Sequence, residues 1–169
     1  MQLNDSQLLK NLCYINGQWL PAKSGKTIPV TNPANGETLG EVPDMGGQEA
    51  REAVDAAYAA LPEWSAQTAQ ERSRILRRWF DLMMEHQDDL AMILTMEQGK
   101  SLAEAKGEIA YGASYIEWFA EEAKRVYGDT IPAVSADQRV QVIRQPVGVC
   151  AAITPWNFHN AMITRKVAP

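Results

Sequence analysis

The residues whose types and spacing most clearly suggest chemistry form the run Thr154, Pro155, Trp156 and Asn157, directly after an almost wholly apolar stretch at residues 147–153. Trp156 and Asn157 would present an indole and a side-chain amide, both able to donate hydrogen bonds, at the end of this stretch. Asn is also a favoured helix N-cap, so the residue types alone leave a purely structural role open for Asn157. This run is the candidate site.

The apolar stretch before the candidate site is typical of a β-strand that is covered on both faces, as in a parallel sheet flanked by helices. Pro155 has no N–H to donate to a ladder, so the strand is predicted to end there. Ligands of open parallel α/β sheets bind beyond the carboxyl ends of the strands. Cys150 lies inside the stretch without a neighbouring His or cation cluster, which predicts a small buried residue rather than a nucleophile.

The chain before this strand predicts a β region followed by helices. Short segments separated by Gly, Pro and Asn predict a small β meander between Tyr14 and Pro43. A helical pattern follows and predicts a break at Pro62, with an apolar face formed by Ala50, Val54, Ala57 and Leu61.

Two capping boxes predict where the next helices begin. Thr68 precedes Glu71 by three residues, and Ser101 precedes Glu104 by the same spacing. The second box opens a long helix that is predicted to run from Leu102 to about Tyr127 and to stop at Gly128, with an apolar face that includes Ala105, Ile109, Ala113, Ile116 and Ala120. Residues 139–143 alternate in polarity and predict a half-exposed strand.

Composition excludes several classes of function. The chain has 16 Lys and Arg against 21 Asp and Glu, a formal charge of −5, which argues against nucleic acid or an anionic membrane as a partner. Cys13 and Cys150 are too few and too distant for a disulfide framework or a zinc motif, so no metal is expected. Neither a signal peptide nor a long apolar run is found, and we expect a cytoplasmic protein.

Several motifs together resemble the aldehyde dehydrogenase superfamily, and most closely its succinate-semialdehyde dehydrogenase branch. They occur in the family's order along nearly the whole chain: INGQW at 15–19, TNPANGE at 31–37, MEQGK at 96–100, EWFAEEAKRVYGDTIP at 117–132, QPVGVCAAITPWNF at 145–158 and AMITRKVAP at 161–169.

The resemblance implies the N-terminal portion of that α/β fold, truncated within its cofactor domain. Residues 1–145 are expected to form the β-meander and helical part of the cofactor and oligomerisation region. Residues 146–169 are expected to form the first strand and the start of the first helix of a doubly wound, parallel dinucleotide-binding sheet, which is incomplete here. The parent enzyme is expected to be a homodimer or homotetramer.

The resemblance also implies oxidation of succinate semialdehyde, or a related small aldehyde, to the carboxylate with NAD or NADP. Such enzymes work through a cysteine thiohemiacetal, and Asn157 would donate to its oxygen. Residues 153–157 would contact the cofactor: Ile153, Thr154, Pro155, Trp156 and Asn157. The family's nucleophilic Cys and general-base Glu lie in motifs that this sequence lacks, so we expect the chain alone to be inactive.

Arg165 is the candidate substrate-binding residue. It lies eight residues after Asn157 and is expected near the positive end of the following helix, where the helix dipole gives an Arg no benefit. The resemblance implies contact with the distal carboxylate of the substrate, which a planar guanidinium can bind through two hydrogen bonds. The alternative is a solvated charge beside Lys166.

The sequence departs from the family at His159, which stands where the family usually has Pro. We interpret His159 as a surface or helix-entry residue and expect the approach to the helix to be looser. Two further sets are read as structural: the Glu97-Gln98-Gly99-Lys100 loop, and an aromatic cluster expected in the core or a subunit contact rather than on a ligand-stacking platform, namely Tyr111, Tyr115, Trp118 and Phe119. The alternative function is a noncatalytic fragment that associates with intact subunits.

Overall fold

A computed structural model describes residues 2–169 of the chain. The strands are β1 (Cys13–Ile15), β2 (Gln18–Leu20), β3 (Thr27–Thr31), β4 (Thr38–Pro43), β5 (Asp129–Ile131) and β6 (Val140–Val142). The helices are α1 (Gly47–Ala66), α2 (Ala69–Glu85), α3 (Gln87–Gln98), α4 (Leu102–Glu122) and α5 (His159–Val167), with 3-10 turns at Ser6–Leu8 and Ala123–Arg125.

Helix α4 is the centre of the core, because α2, α3 and α5 all pack against it. Its buried face confirms the periodicity of the sequence and consists of Ala105, Ile109, Ala113, Ile116 and Ala120. Met83 of α2 and Leu94 of α3 belong to the same buried cluster. The small residues of α4 allow the neighbouring helices to approach closely.

The predicted end of the long helix at Tyr127 is wrong. Helix α4 ends at Glu122 and tightens into the 3-10 turn, which provides partners for carbonyls of the last helical turn. Gly128 does not stop the helix but lies against β6, where an added Cβ atom would come within 2.0 Å of the Val142 carbonyl oxygen.

Both predicted capping boxes are confirmed. Thr68 Oγ1 accepts a hydrogen bond from the Glu71 N–H at 3.3 Å, and Glu71 Oε2 accepts from the Thr68 N–H at 2.7 Å. Hydrogen bonds from the Thr68 backbone and side chain lower the pKa of Glu71. Ser101 and Glu104 make the same reciprocal pair at the start of α4.

The predicted meander is two separate hairpins. Strands β1 and β2 pair with each other, and β3 and β4 form a second antiparallel pair. The β1–β2 turn contains Asn16 and Gly17, both with positive φ, which is the turn chemistry that closes a tight two-residue hairpin. Among the described residues no ladder joins the two hairpins. The strand predicted at residues 139–143 is confirmed as β6, which pairs with β5 but is exposed.

Helix α1 differs from its prediction in two ways. Pro62 lies inside the helix rather than at a break. Because Pro has no N–H, the carbonyl oxygen of Tyr58, four residues earlier, has no helical hydrogen-bond donor. Tyr58 is exposed, so water can reach that oxygen. The buried residue of this helix is Glu49, which is not part of the predicted apolar face. Its carboxylate accepts from the N–H groups of Lys23 and Gly46, both at 3.0 Å. Ala50, Val54 and Ala57 are exposed.

The predicted strand at residues 147–153 is not formed. Residues 143–155 belong to no helix or strand, and the side chain of Ile153 is 92% exposed. The prediction that Cys150 is buried is also wrong, since it is exposed. The physical reason is that a strand needs a hydrogen-bonding neighbour, and the described residues place none beside this stretch. The proposed domain boundary at residue 146 stays a prediction.

Candidate functional site

A buried carboxylate organises the entry to helix α5. The Glu108 side chain, on the buried face of α4, is only 1% exposed. Its Oε1 atom accepts from the Asn160 N–H at 2.8 Å and from the Ala161 N–H at 3.3 Å. These N–H groups lie in the first turn of α5, where backbone N–H groups have no acceptor within the helix. The helix dipole also favours a negative charge at this end.

Lys100 pairs with the same carboxylate. Its ammonium group contacts Glu108 Oε2 and is itself only 13% exposed. The Nζ atom lies 4.3 Å from the centroid of the Phe158 ring and 3.4 Å from the carbonyl oxygen of Asn157. One lysine thus connects the loop between α3 and α4 to the last two residues before α5.

Gln98 is a second donor to the same carbonyl. Its Nε2 atom lies 3.1 Å from the Asn157 oxygen. Between Gln98 and Lys100, Gly99 has a φ of 83°, and an added Cβ atom would come within 2.8 Å of Pro33. The loop was correctly predicted to end one helix and begin the next, but its contact with Asn157 was missed. A sequence signal existed: Glu108 is a charged residue within the apolar face of α4.

The neighbours of Asn157 therefore hold its main chain and leave its side chain exposed. The alternative that Asn157 is the N-cap is wrong, because Phe158 occupies that position and Glu108 supplies the acceptor. His159 is exposed and is the first residue of α5, as predicted. Burial raises the pKa of Glu97, and the charge of His159 opposes that rise.

The other cofactor candidates form an exposed segment ahead of Asn157. Thr154 is half-buried, Pro155 is exposed, and the side chains of Ile153 and Trp156 are 92% and 76% exposed. Residues 153–155 lie in no helix, strand or turn, so their main-chain groups are not committed to a ladder.

Arg165 lies on α5 with neighbours different from those of Asn157. Its guanidinium carbon is 5.7 Å from the centroid of the Tyr115 ring, and Nη1 lies 3.9 Å from the Met162 sulfur. The expectation that Arg165 lies near the positive end of its helix is wrong, because α5 is short and Arg165 falls in its last turn. A cation is favoured at that end, so the dipole accounts for part of its placement.

Close packing fixes α5 on α4. An added Cβ atom at Gly112 would come within 2.1 Å of Asn160 Oδ1 and 3.2 Å of Thr164 Oγ1. Thr164 is buried and donates its hydroxyl to the carbonyl oxygen of Asn160 at 3.2 Å. A larger residue at position 112 would require at least the Asn160 side chain to move, because its Oδ1 atom occupies that space.

Only part of the aromatic cluster of α4 lies against the core. Tyr111 and Trp118 are exposed, whereas Phe119 packs against the core. A hydrogen bond to Tyr111 raises the pKa of Tyr115. The cluster lines a groove of about 670 Å³ that does not include Asn157 or Arg165. A subunit contact at this face stays a prediction.

Among residues 2–169, no group of at least three His, Cys, Asp or Glu side chains is placed to hold a metal ion. None of the helices in this described range is both long and apolar enough to cross a membrane.

Comparison with known proteins supports the resemblance. The model of the aldehyde dehydrogenase family matches residues 19–169. Over all 169 residues the chain is 66% identical to the NADP(+) succinate-semialdehyde dehydrogenase GabD of Escherichia coli, of which it covers 35%. It is also 66% identical to a glutarate-semialdehyde dehydrogenase of Pseudomonas putida, again covering 35% of that protein.

Solved structures give the same result. The crystal structure of an Escherichia coli NADP-dependent enzyme matches 98% of this chain, and 34% of its own, with a TM-score of 0.97 at 67% identity. Succinate-semialdehyde dehydrogenase from Burkholderia pseudomallei matches 99% of this chain and 35% of its own with a TM-score of 0.98 at 58% identity. The predicted fold class is confirmed as the N-terminal part of these α/β enzymes, and the chain belongs to the aldehyde dehydrogenase family.

Proposed function

We propose that the protein containing these residues oxidises a small semialdehyde with a distal carboxylate, such as succinate semialdehyde, to the dicarboxylate with NAD or NADP. The observation that carries the proposal is the arrangement at Asn157: Gln98 and Lys100 hold its carbonyl oxygen while its side-chain amide stays exposed. Relatives at 66% identity carry the names succinate- and glutarate-semialdehyde dehydrogenase.

In this mechanism the Asn157 amide donates to the oxygen of the aldehyde carbon as that oxygen becomes negative. A fixed donor aimed at such an oxygen can accelerate the reaction by about 100-fold or more. The thiol nucleophile and general base come from parts of the protein other than these 169 residues, which by themselves do not catalyse the reaction. The complete protein is proposed to be a homodimer or homotetramer.

The residues present fit a nicotinamide dinucleotide. The uncommitted main chain of residues 153–155 offers N–H and C=O groups, and the exposed Trp156 offers an aromatic surface. Residues 153–157 would hold the nicotinamide side of the cofactor. When bound, the cofactor would supply the hydride acceptor that this oxidation requires.

Arg165 is proposed to bind the distal carboxylate of the substrate. Its exposed guanidinium lies on α5, the helix that begins two residues after Asn157, and the Tyr115 ring supports it on one side. Hydrogen bonds between charged groups contribute about 1.5 to 3 kcal/mol, which corresponds to roughly 10- to 150-fold in kcat/KM.

The experiment measures reduction of NAD or NADP by the complete protein with succinate semialdehyde and with an uncharged aldehyde of similar length. Arg165→Ala should lower kcat/KM for succinate semialdehyde by about 10- to 150-fold and should affect the uncharged aldehyde little. Lys166→Ala, a change at the adjacent exposed cation, is the matched control. Equal losses with both aldehydes would contradict the assignment of Arg165.

A further inference from the structure

We propose that Glu108 and Lys100 form a positioning pair that fixes Asn157 for catalysis through its main chain. The proposal rests on the function proposed above. Neither residue is placed to touch a substrate, because the Glu108 side chain is 1% exposed, the Lys100 side chain is 13% exposed, and the two contact each other and neighbouring protein groups. Their contacts converge on residues 157–161, the segment that carries the candidate amide donor.

The first step is the burial of the pair. A carboxylate that is 1% exposed is costly unless its charge is compensated. Glu108 has such compensation on both oxygens, from the Lys100 ammonium on one and from the N–H groups of Asn160 and Ala161 on the other. Lys100 and the N–H groups of α5 contact the same carboxylate. The position of the loop after α3 is therefore fixed relative to the start of α5.

The second step is the connection to Asn157. The remaining Lys100 contacts reach its carbonyl oxygen at 3.4 Å and the Phe158 ring at 4.3 Å. Gln98 donates to the same oxygen at 3.1 Å. The main chain of Asn157 is thus held by Gln98 at the end of α3 and by Lys100 in the following loop. The main chain three and four residues later is held by Glu108 of α4.

The third step is precision. Gly112 allows α5 to lie so close to α4 that any side chain there would collide with Asn160. A misplacement of about 1 Å in a catalytic group can cost roughly 100-fold in rate. Loss of the Lys100 contact should therefore reduce catalysis mainly by moving Asn157, with a larger effect on kcat than on KM.

The test is a double-mutant cycle in the complete protein. Lys100→Met alone would strand the buried Glu108 charge, so it is combined with Glu108→Gln, which retains an oxygen to accept from Asn160 and Ala161. The paired variant should fold and should lower kcat by roughly 10- to 100-fold. Lys106→Met is the matched control. Lys106 lies on α4, the helix that carries Glu108, and pairs with Asp88 at 2.7 Å on the surface, so its replacement should leave kcat unchanged.

The same pair of substitutions is then made in the Asn157→Ala background. If the pair acts through Asn157, it should cause little further loss of kcat there, because the group that it positions is gone. A loss that multiplies equally in both backgrounds, or no loss in the wild-type background, would overturn the proposal.

A crystal structure of the paired variant separates this proposal from the proposed function. Displacement of the Asn157 main chain supports positioning by the pair, and an unmoved Asn157 overturns it whatever the activity. The proposed function fails by a different result, namely an Asn157→Ala protein that retains its kcat.

Discussion

Residues 69–122 and residues 143–155 carry comparably clear apolar patterns, yet only the first segment is packed. In the helices, capping residues and periodicity are satisfied by hydrogen bonds and contacts among α2, α3 and α4. In the second segment the apolar residues are exposed, and no ladder forms. A helix satisfies its backbone internally, whereas a strand depends on a neighbour. The same strength of sequence pattern therefore has different structural consequences.

The largest expected effect comes from a comparison of two isoleucines in the 169-residue chain. Ile116 on α4 is fully buried at 0% exposure, and Ile153 is 92% exposed. Ile116→Ala should lower the free energy of unfolding by about 2 to 5 kcal/mol, because it leaves a cavity in the core. Ile153→Ala should change it by less than about 0.5 kcal/mol. Urea unfolding measures both, and similar losses would mean that the second segment is packed.

A smaller effect on the free energy of unfolding is expected when two serines that make local hydrogen bonds are replaced by alanine. Ser101 caps α4, and Ser135 donates to Asp137 at 2.6 Å in an exposed turn between β5 and β6. Ser101→Ala should cost about 1 kcal/mol, because it removes an acceptor for an unpaired helix N–H. Ser135→Ala should cost less than about 0.5 kcal/mol. An equal cost in thermal unfolding would show that the two regions do not differ in this respect.

Much of the helical region was predictable because its signals are local. Both capping boxes and the buried face of α4 follow from residue types at spacings of three and four. The burial of Glu49 on α1 was not predictable in this way, because its carboxylate accepts from the N–H of Lys23, which is distant in sequence. Pro62 was also misread, since a single missing hydrogen bond at an exposed turn does not end a helix.

The arrangement around Asn157 was not predictable from the sequence. The family resemblance implies an oxyanion donor at Asn157, and this role stays a prediction; the structure places the N-cap of α5 at Phe158. The pair Lys100 and Glu108 was missed because its members are 57 and 49 residues from Asn157 along the chain. Only tertiary packing of α5 on α4 brings them to the site.

The most direct test of the central claim is the single-turnover rate of aldehyde oxidation by Asn157→Ala in the complete protein, at saturating cofactor and aldehyde. The rate should fall by about 100-fold or more with the fold retained, because a fixed donor to the developing oxyanion is lost. Asn11→Ala, at an exposed position in the N-terminal region, is the control and should match wild type. A folded Asn157→Ala protein with an unchanged rate would contradict the account.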